Sequence, residues 1–222
     1  MSAAKPLGIQ ANQLDMGTSS GRALNSGVYL DSTGNLGLGD IKSVGEIRAE
    51  NVAGNISVVG DVVSPTLISL QADGAVRGIG GTWVDGQWVP EVGELNAPIM
   101  ALRGGQGVGE REDSVYVNTG EIAIDGGDGN AFVINDNGGD ELVLGTVDGL
   151  SGLTAAGDMG LRNNGDLRLK TQVIDTDVTV DSDTYLIADG GAIIDDNGDT
   201  LNVTGGDLYF HADGRVELDT LV

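Results

Sequence analysis

The chain has 222 residues, of which 34 are acidic and 11 are lysine or arginine, so its formal net charge is −23. Such a charge repels phosphate backbones and anionic membrane surfaces, and we therefore expect no nucleic-acid partner. The absence of cysteine excludes disulfides and thiolate metal sites, and the 38 glycines accompanied by only 4 prolines exclude collagen. No apolar run approaches the ~18 residues that cross a bilayer, so we expect no membrane insertion.

Residues 1–27 are small, polar and poor in strand-forming side chains. We predict that they form an N-terminal arm or attachment linker. The start of the chain lacks the apolar segment of a secretory signal peptide, so none is expected.

A repeated pattern begins at residue 28 and predicts a β-repeat region over 28–80. In "LDSTGNLGLGD" (30–40), an apolar residue is followed four positions later by glycine and then by two alternating apolar residues. A type I turn followed by a left-handed residue closes a hairpin, and glycine takes that conformation without a Cβ clash. We therefore predict a hairpin in which Leu30 faces Leu36 and Val28 faces Leu38. The predicted turn glycines of this copy and of the others are Gly34, Gly74, Gly157, Gly165 and Gly214.

Residues 81–114 break this pattern and are predicted to be an insertion rich in tryptophan and glycine. Trp83 and Trp88 flank Asp85 and Gly86, which are typical of a hairpin turn. Exposed indoles stack on sugar rings, so the pair is a candidate glycan-binding site. Such a pair also packs over its own turn or fills a subunit interface, and this alternative stays open.

Residues 115–222 form an acidic region with further β repeats. In "VYVNTGEIAID", Thr119 and Gly120 are predicted to be a two-residue turn that pairs Val117 with Ile122. A longer similarity relates "AFVINDNGGDELVLG" (131–145) to "GAIIDDNGDTLNVTG" (191–205). Regular strand–turn spacing without extended helical periodicity predicts an all-β chain.

Strands this short bury little apolar surface, because only 4% of the residues are aromatic. Stacked rungs of a β-solenoid, or strands shared among identical chains in a β-prism, would both supply a core. Both arrangements satisfy the same apolar alternation. We predict short hairpins and β-solenoid- or β-prism-like repeats, and the irregular spacing of the copies favours an elongated fibre of intertwined chains over a monomeric solenoid.

The segment "VYLDSTGNLGLGDIKSVGEIRAENVAGNISVVGDV" (28–62) resembles the shaft segments of bacteriophage tail fibres and related virion appendages. The matching positions are Leu30, Asp31, Ser32, Gly34, Asn35, Leu36, Gly37, Leu38 and Gly39. Asp40 departs from the pattern, since such runs frequently have threonine there. The resemblance implies a rigid homotrimeric appendage, assembled in the host cytoplasm, that docks to other virion proteins and projects or binds host-surface glycans. The chain is short for a full fibre and has no recognisable self-cleaving chaperone domain, which suits a small appendage, a fibre segment or a capsid decoration protein.

The acidic region also contains candidate calcium ligands. The segment "GGDGNAFVI" (126–134) approaches the nonapeptide whose turns bind calcium in parallel β-rolls. Carboxylate and amide oxygens are the ligands that calcium prefers, and the candidates are Asp125, Asp128, Asn130, Asp136, Asp140, Asp195, Asp196 and Asp199. The same residues are ordinary constituents of tight turns. No cofactor is required by the sequence, and calcium is the one that it allows.

Nothing in the sequence predicts catalysis. His211 is the only histidine and is predicted to lie in an exposed loop, and no nucleophile–histidine–acid set or phosphate-binding loop is present. We therefore expect a non-enzymatic structural protein of a virion. The alternative is a secreted, calcium-stabilised adhesin or surface-filament subunit with β-roll turns, and a sugar-active β-helix enzyme is a third hypothesis.

Overall fold

The computed structural model describes residues 7–8, 14–17, 27–84, 87–175, 182–195 and 206–218. Within these residues the chain consists of strands and turns and has no helix, so the predicted all-β class is confirmed. No helix long and apolar enough to cross a membrane occurs in these segments.

The strands are short and run in a regular succession. In chain order they are β1 (Leu7–Gly8), β2 (Leu14–Gly17), β3 (Val28–Ser32), β4 (Leu36–Lys42), β5 (Ile47–Asn51), β6 (Ile56–Val58), β7 (Val62–Val63), β8 (Leu67–Ala72), β9 (Val76–Arg77), β10 (Ile79–Val84), β11 (Gln87–Val92), β12 (Leu95–Asn96), β13 (Ile99–Gly104), β14 (Val115–Asn118), β15 (Glu121–Asp125), β16 (Ala131–Asn135), β17 (Leu142–Leu144), β18 (Thr146–Val147), β19 (Leu150–Ser151), β20 (Leu153–Ala155), β21 (Met159–Asn163), β22 (Leu167–Leu169), β23 (Val173–Asp175), β24 (Thr184–Ala188), β25 (Ile193–Asp195), β26 (Leu208–Ala212) and β27 (Val216–Glu217).

Two large sheets contain most of these strands, and every neighbouring pair in both sheets is parallel. We call them sheet A and sheet B. Sheet A consists of β1, β3, β5, β8, β13, β15, β17, β20, β22, β23, β25 and β27. Sheet B consists of β2, β4, β6, β7, β9, β12, β14, β16, β21, β24 and β26. The remaining strands form two antiparallel hairpins, β10–β11 and β18–β19.

The chain alternates between the two sheets, and each pass through both of them is called a rung here. In sheet A, Leu30 pairs with Ala49 and Ala49 with Leu70, so one rung takes about 20 residues, as in stacked repeat proteins. In sheet B, Leu36 pairs with Ile56 and Ile56 with Val76. Equivalent positions of successive rungs therefore lie directly above one another.

The core lies between the sheets and is a single continuous cluster of small and medium-sized aliphatic side chains. Alternate residues of each strand point inward, as the burial of Val28 and Leu30 in β3 shows, while Asp31 between Leu30 and Ser32 is exposed. Stacking gives the inward aliphatic side chains of the inner rungs aliphatic neighbours in the rungs above and below. A chain with few aromatic residues can thus build an extended core.

The predicted hairpins at residues 28–38 and 117–122 are wrong. Leu30 and Leu36 lie in different sheets and pair with Ala49 and Ile56, so the turn between them is a corner from sheet A to sheet B. In the same way β14 belongs to sheet B and β15 to sheet A, and Val117 does not pair with Ile122. An isolated hairpin buries one face only and leaves the outer edge of each strand unpaired. In the stacked rungs each inner strand is paired along both edges, so stacking is the more stable arrangement.

The predicted left-handed conformation is confirmed for Gly34, whose φ is +89°, and is wrong for Gly74, Gly157, Gly165 and Gly214. These four glycines are instead required by close approach between rungs. A Cβ at Gly165 would lie 2.4 Å from the carbonyl oxygen of Asp140, and one at Gly74 would lie 2.6 Å from that of Gly54. The glycines stack at the corners, where only a hydrogen atom fits.

The segments predicted as an arm and as an insertion both contribute to the sheets. Leu7–Gly8 pairs with Leu30–Asp31 in sheet A, and β2 pairs with β4 in sheet B. Of residues 81–114, those at 81–84 and 87–92 belong to the paired strands β10 and β11, and β12 and β13 then continue the rungs.

Candidate functional site

The outer face of sheet B carries a column of aromatic side chains. Phe132 of β16 pairs with Gly160, Gly160 with Tyr185, and Tyr185 with Tyr209 of β26. Since paired residues of parallel strands point to the same side, the three rings follow one line across four successive strands. We call this line the aromatic column.

Gly160 provides the space that the column needs. A Cβ at this position would lie 2.5 Å from Cδ1 of Phe132, so the phenyl ring extends over the glycine. The rings of Tyr185 and Tyr209 are stacked, with centroids 4.8 Å apart and an angle of 6° between their planes. Phe132 is buried, whereas Tyr209 remains 44% exposed.

Arg111 enters the column from the loop that precedes β14. Its guanidinium carbon lies 4.5 Å from the ring centroid of Tyr185 and 5.7 Å from that of Phe132, distances that are typical of cation–π contacts. Its Nη2 atom lies 3.9 Å from a carboxylate oxygen of Asp158. A hydrogen bond with the Tyr185 side chain raises the pKa of Arg111 further above its ordinary value, so it is permanently charged.

The loop that carries Arg111 is held against the sheet by its backbone. Phe132 donates its amide hydrogen to the carbonyl of Val108 at 2.7 Å, and Gly109 donates to that of Val76 at 2.8 Å. Gly109 has a φ of +69°, and a Cβ there would lie 2.2 Å from the carbonyl oxygen of Phe132. This glycine allows the loop to turn over the column.

A groove of about 710 Å³ lies between the loop and the sheet, within the usual size range of ligand sites. Its apolar wall includes Phe132, Ile134 and Ile187, and its charged wall includes Arg111 and Arg162. The guanidinium of Arg162 is paired with Asp189, with Nε 2.5 Å from the carboxylate. Tyr116 of β14 pairs with Ile134 in the neighbouring rung, and burial raises the pKa of its hydroxyl group to about 12.

Two rows of polar side chains border the aromatic column, one at each end of the strands. Each row contains aspartate in most rungs; the rows are Asn130, Asp158, Asp183 and Asp207 at the start, and Asp136, Asn164, Asp189 and Asp213 at the end. Along the first row, each side chain accepts a hydrogen bond from the backbone N–H of the next member of the row, as Asp183 does from Asp207 at 3.1 Å. The rows therefore tie neighbouring rungs together and surround the column with negative charge.

The tyrosine hydroxyl groups are fixed by the first row. Tyr185 donates to Asp183 at 2.9 Å, and Tyr209 donates to Asp207 at 3.0 Å. The backbone N–H of Asp207 and then the Tyr185 hydroxyl lower the pKa of Asp183, while the bond to Asp207 raises the pKa of Tyr209. Asp183 is thus ionised and the phenol of Tyr209 neutral at pH 7, and the two hydrogen bonds hold the rings in place.

The tryptophan pair lies elsewhere, on the β10–β11 hairpin. Trp83 and Trp88 are direct partners in its antiparallel register, so the predicted hairpin is confirmed, while Asp85 and Gly86 lie outside the described residues. Their glycan-binding role stays a prediction.

The candidate calcium ligands are distributed over several corners. Asp125 is 3.1 Å from Nε of Arg103 and accepts the N–H of Gly127, Asn130 accepts the N–H of Asp158, and Asp136 accepts from Asn164. Asp128 is at the corner between β15 and β16, Asp140 at the one between β16 and β17, and Asp195 is buried in β25. Asp196 and Asp199 lie outside the described residues. The part of the chain that is described contains no group of three or more His, Asp or Glu side chains placed to hold a metal ion.

His211 is on β26 and not in the predicted loop. Its imidazole is exposed, as predicted, and lies 3.9 Å from Asp213.

Sequence analysis did not find the aromatic column, although the sequence contains a signal for it. The blocks "NAFVIND" (130–136), "DMGLRNN" (158–164), "DTYLIAD" (183–189) and "DLYFHAD" (207–213) align, with the aromatic residue or Gly160 at the third position. The spacing differs from copy to copy because loops of different length separate the blocks. Arg111 carries no comparable signal, since only the fold brings it to the column.

Comparisons with protein-family models, with curated proteins and with solved structures found no match to this chain.

Proposed function

We propose that this chain is a non-enzymatic structural protein of a virion, such as a tail fibre, an appendage or a capsid decoration protein. The observation that carries the proposal is the continuous core between two parallel sheets, which supports a rigid β-solenoid rod. Since strands stack at about 4.8 Å per rung, successive rungs extend the molecule along one axis. Such a rod suits assembly and projection from a particle.

Within this proposal the chain is a stacked solenoid that associates as a homotrimer and docks to other virion proteins. The parallel pairing of rungs within one chain supports the solenoid over the intertwined prism, since each chain supplies its own core. The virion setting rests on the likeness of residues 28–62 to fibre shafts, and it implies assembly in the host cytoplasm.

The groove on sheet B supports a binding role. Its lining combines aromatic and aliphatic side chains with the charged side chains of Arg111, Arg162, Glu112 and Asp113, a mixture of apolar surface and a few polar groups that is typical of binding sites. We assign attachment to this face, and a host-surface glycan at Trp83 and Trp88 remains part of the proposal.

Native mass measured by light scattering, in EDTA and again with millimolar calcium, tests the structural role. We expect a trimer, resistant to SDS, whose mass is the same in both conditions. A monomer that is expanded in EDTA and compact with calcium would contradict the proposal and favour a calcium-stabilised adhesin at the cell surface, because metal binding in β-roll turns contributes to folding.

A further inference from the structure

We propose that the aromatic column on sheet B binds a cationic segment of a partner protein, with an arginine side chain of the partner stacked on Tyr209. The inference rests on the binding role assigned above to the face of sheet B and names the ligand of that face. It does not depend on whether the partner belongs to a particle or to a cell surface.

Arg111 shows how this surface accommodates a guanidinium group. Gly160 contributes no side chain to the column. The guanidinium group of Arg111 takes that place, between the rings of Phe132 and Tyr185. Aromatic rings lie beside the cation, and Asp158 lies within 3.9 Å of it. One charged side chain from a distant loop is therefore already bound in the manner expected for an external one.

Tyr209 offers a second position of the same kind. One face of its ring is stacked on Tyr185, and the residue keeps 44% of its surface exposed. Asp207 holds the hydroxyl group at 3.0 Å, so the ring is oriented before any ligand arrives. A preoriented ring lowers the entropic cost of binding.

The charge around the column favours a cation over the alternatives. Asp183 and Asp207 border Tyr209 on one side, Asp213 lies on the other, and the whole chain carries a net charge of −23. This field attracts basic segments and repels anionic saccharides and nucleic acids. Arginine fits better than lysine, because its planar guanidinium stacks on rings and pairs with carboxylates at the same time.

The same charge would also attract any polycation weakly, so the experiment must locate the binding. The probe is the peptide acetyl-(Arg-Gly-Ser)3-amide, titrated onto the full-length protein by calorimetry. The matched peptide with citrulline in place of arginine keeps the planar shape and removes the charge. Maltohexaose serves as a neutral saccharide.

Two variants alter the column and one alters a remote surface. Tyr209→Leu removes the ring, and we expect it to weaken binding of the arginine peptide about tenfold, whereas Tyr209→Phe should change it less than about twofold. Asp207→Asn should weaken binding by about fivefold. Glu50→Gln makes the same change in net charge on the exposed face of sheet A and should have less than about twofold effect.

Three results would overturn the inference. Glu50→Gln could weaken binding as much as Asp207→Asn, which would indicate diffuse attraction only. The citrulline peptide could bind as well as the arginine peptide. Maltohexaose could bind and displace the peptide, in which case the face would keep its binding role with a saccharide as ligand. Unchanged thermal unfolding of each variant shows that it is folded, and the native mass tests the structural role separately.

Discussion

At the scale of single residues, the glycines of the corners differ in what requires them. A Cβ at Gly165 would lie 2.4 Å from a carbonyl oxygen of the neighbouring rung, while one at Gly34 would meet nothing within 4 Å although φ is +89°. At Gly120, φ is ordinary and the nearest atom would be 3.6 Å away. The three positions therefore represent three cases: a close backbone contact at Gly165, a left-handed conformation at Gly34, and neither constraint at Gly120.

Substitution by alanine should separate these three cases. We expect Gly165→Ala to cost about 3 kcal/mol, because backbone atoms must move, and Gly34→Ala to cost about 1–2 kcal/mol for the left-handed conformation. Gly120→Ala should be neutral or slightly stabilising. Urea unfolding followed by circular dichroism measures the order, and equal losses at all three positions would contradict the assignment.

Two asparagines stack in the interior at the end of the sheet B strands. Asn135 donates to the side chain of Asn163 at 2.7 Å, and Asn163 donates to the carbonyl groups of Asp140 and Asp166. Both residues are at most 1% exposed. The amide of Asn163 is a partner for the corner carbonyl of Asp140 and a second partner for that of Asp166, which also accepts the backbone N–H of Leu142.

Asn163→Leu keeps the volume and removes these groups, so the buried amide of Asn135 loses an acceptor and the carbonyl of Asp140 loses a donor, and we expect a loss of about 3 kcal/mol. The adjacent Asn164 is half-buried and its hydrogen bonds to Gly139 and Asp136 lie at the surface, so Asn164→Ala should cost about 1 kcal/mol or less. The free energy of unfolding in urea measures both. A larger loss for Asn164→Ala would show that the buried stack is not what stabilises the corner.

At the scale of elements, the β18–β19 hairpin fastens several rungs from outside. Val147 and Leu150 cover Ala101 and Ala123 on the outer face of sheet A. At its tip the carboxylate of Asp148 lies 2.5 Å from Nη1 of Arg48 and 2.7 Å from the Ser69 hydroxyl, on β5 and β8. The hairpin thus connects rungs that are distant in the chain.

We expect Asp148→Asn to loosen this hairpin, lowering stability by about 1 kcal/mol and speeding amide exchange over residues 145–152. Asparagine also tolerates the φ of +51° found here, so the change removes the charge and leaves the turn possible. Asp125→Asn, which breaks the local pair with Arg103, is the control and should leave exchange over 145–152 unchanged.

The effect of Asp148 should depend on pH. The hydrogen bonds from Arg48 and then from Ser69 lower its pKa, so its contribution is present above the ordinary value of about 3.9 and is lost as the pH falls through the lowered value. The difference in Tm between the native protein and Asp148→Asn should be equal at pH 7 and pH 5 and should shrink progressively as the pH is lowered below about 3.9. A difference that grows on acidification would contradict this account.

At the scale of the whole molecule, repulsion between negative charges opposes folding. Aspartates recur in the same corner of successive rungs, and the net charge is −23. Glu94 shows the cost of placing a carboxylate in this environment: burial, and then the negative charges of Asp136 and Asp61, raise its pKa. Stacking equivalent positions places like charges one rung apart.

Salt should therefore stabilise the protein. Raising NaCl from 10 mM to 0.5 M shortens the Debye length from about 30 Å to a few ångströms, so repulsion between the rows of carboxylates falls. We expect the Tm to rise by about 5 °C, which corresponds to roughly 1–2 kcal/mol for a chain of this size. A Tm that falls with salt would mean that attractive ion pairs such as Arg162–Asp189 outweigh the repulsion.

The sequence alone was sufficient to predict the all-β class, the inward alternation of Leu30, Leu36 and Leu38, and a hairpin that contains Trp83 and Trp88, because these follow from periods of two residues and from turn chemistry. Whether Leu30 meets Leu36 or Ala49 was decided only by the tertiary structure. A hairpin and a corner need the same local residues, and stacking is favoured because it pairs both edges of every inner strand. The column of Phe132, Tyr185 and Tyr209 likewise depends on the register between rungs, and Arg111 reaches it only because its loop folds back across sheet B.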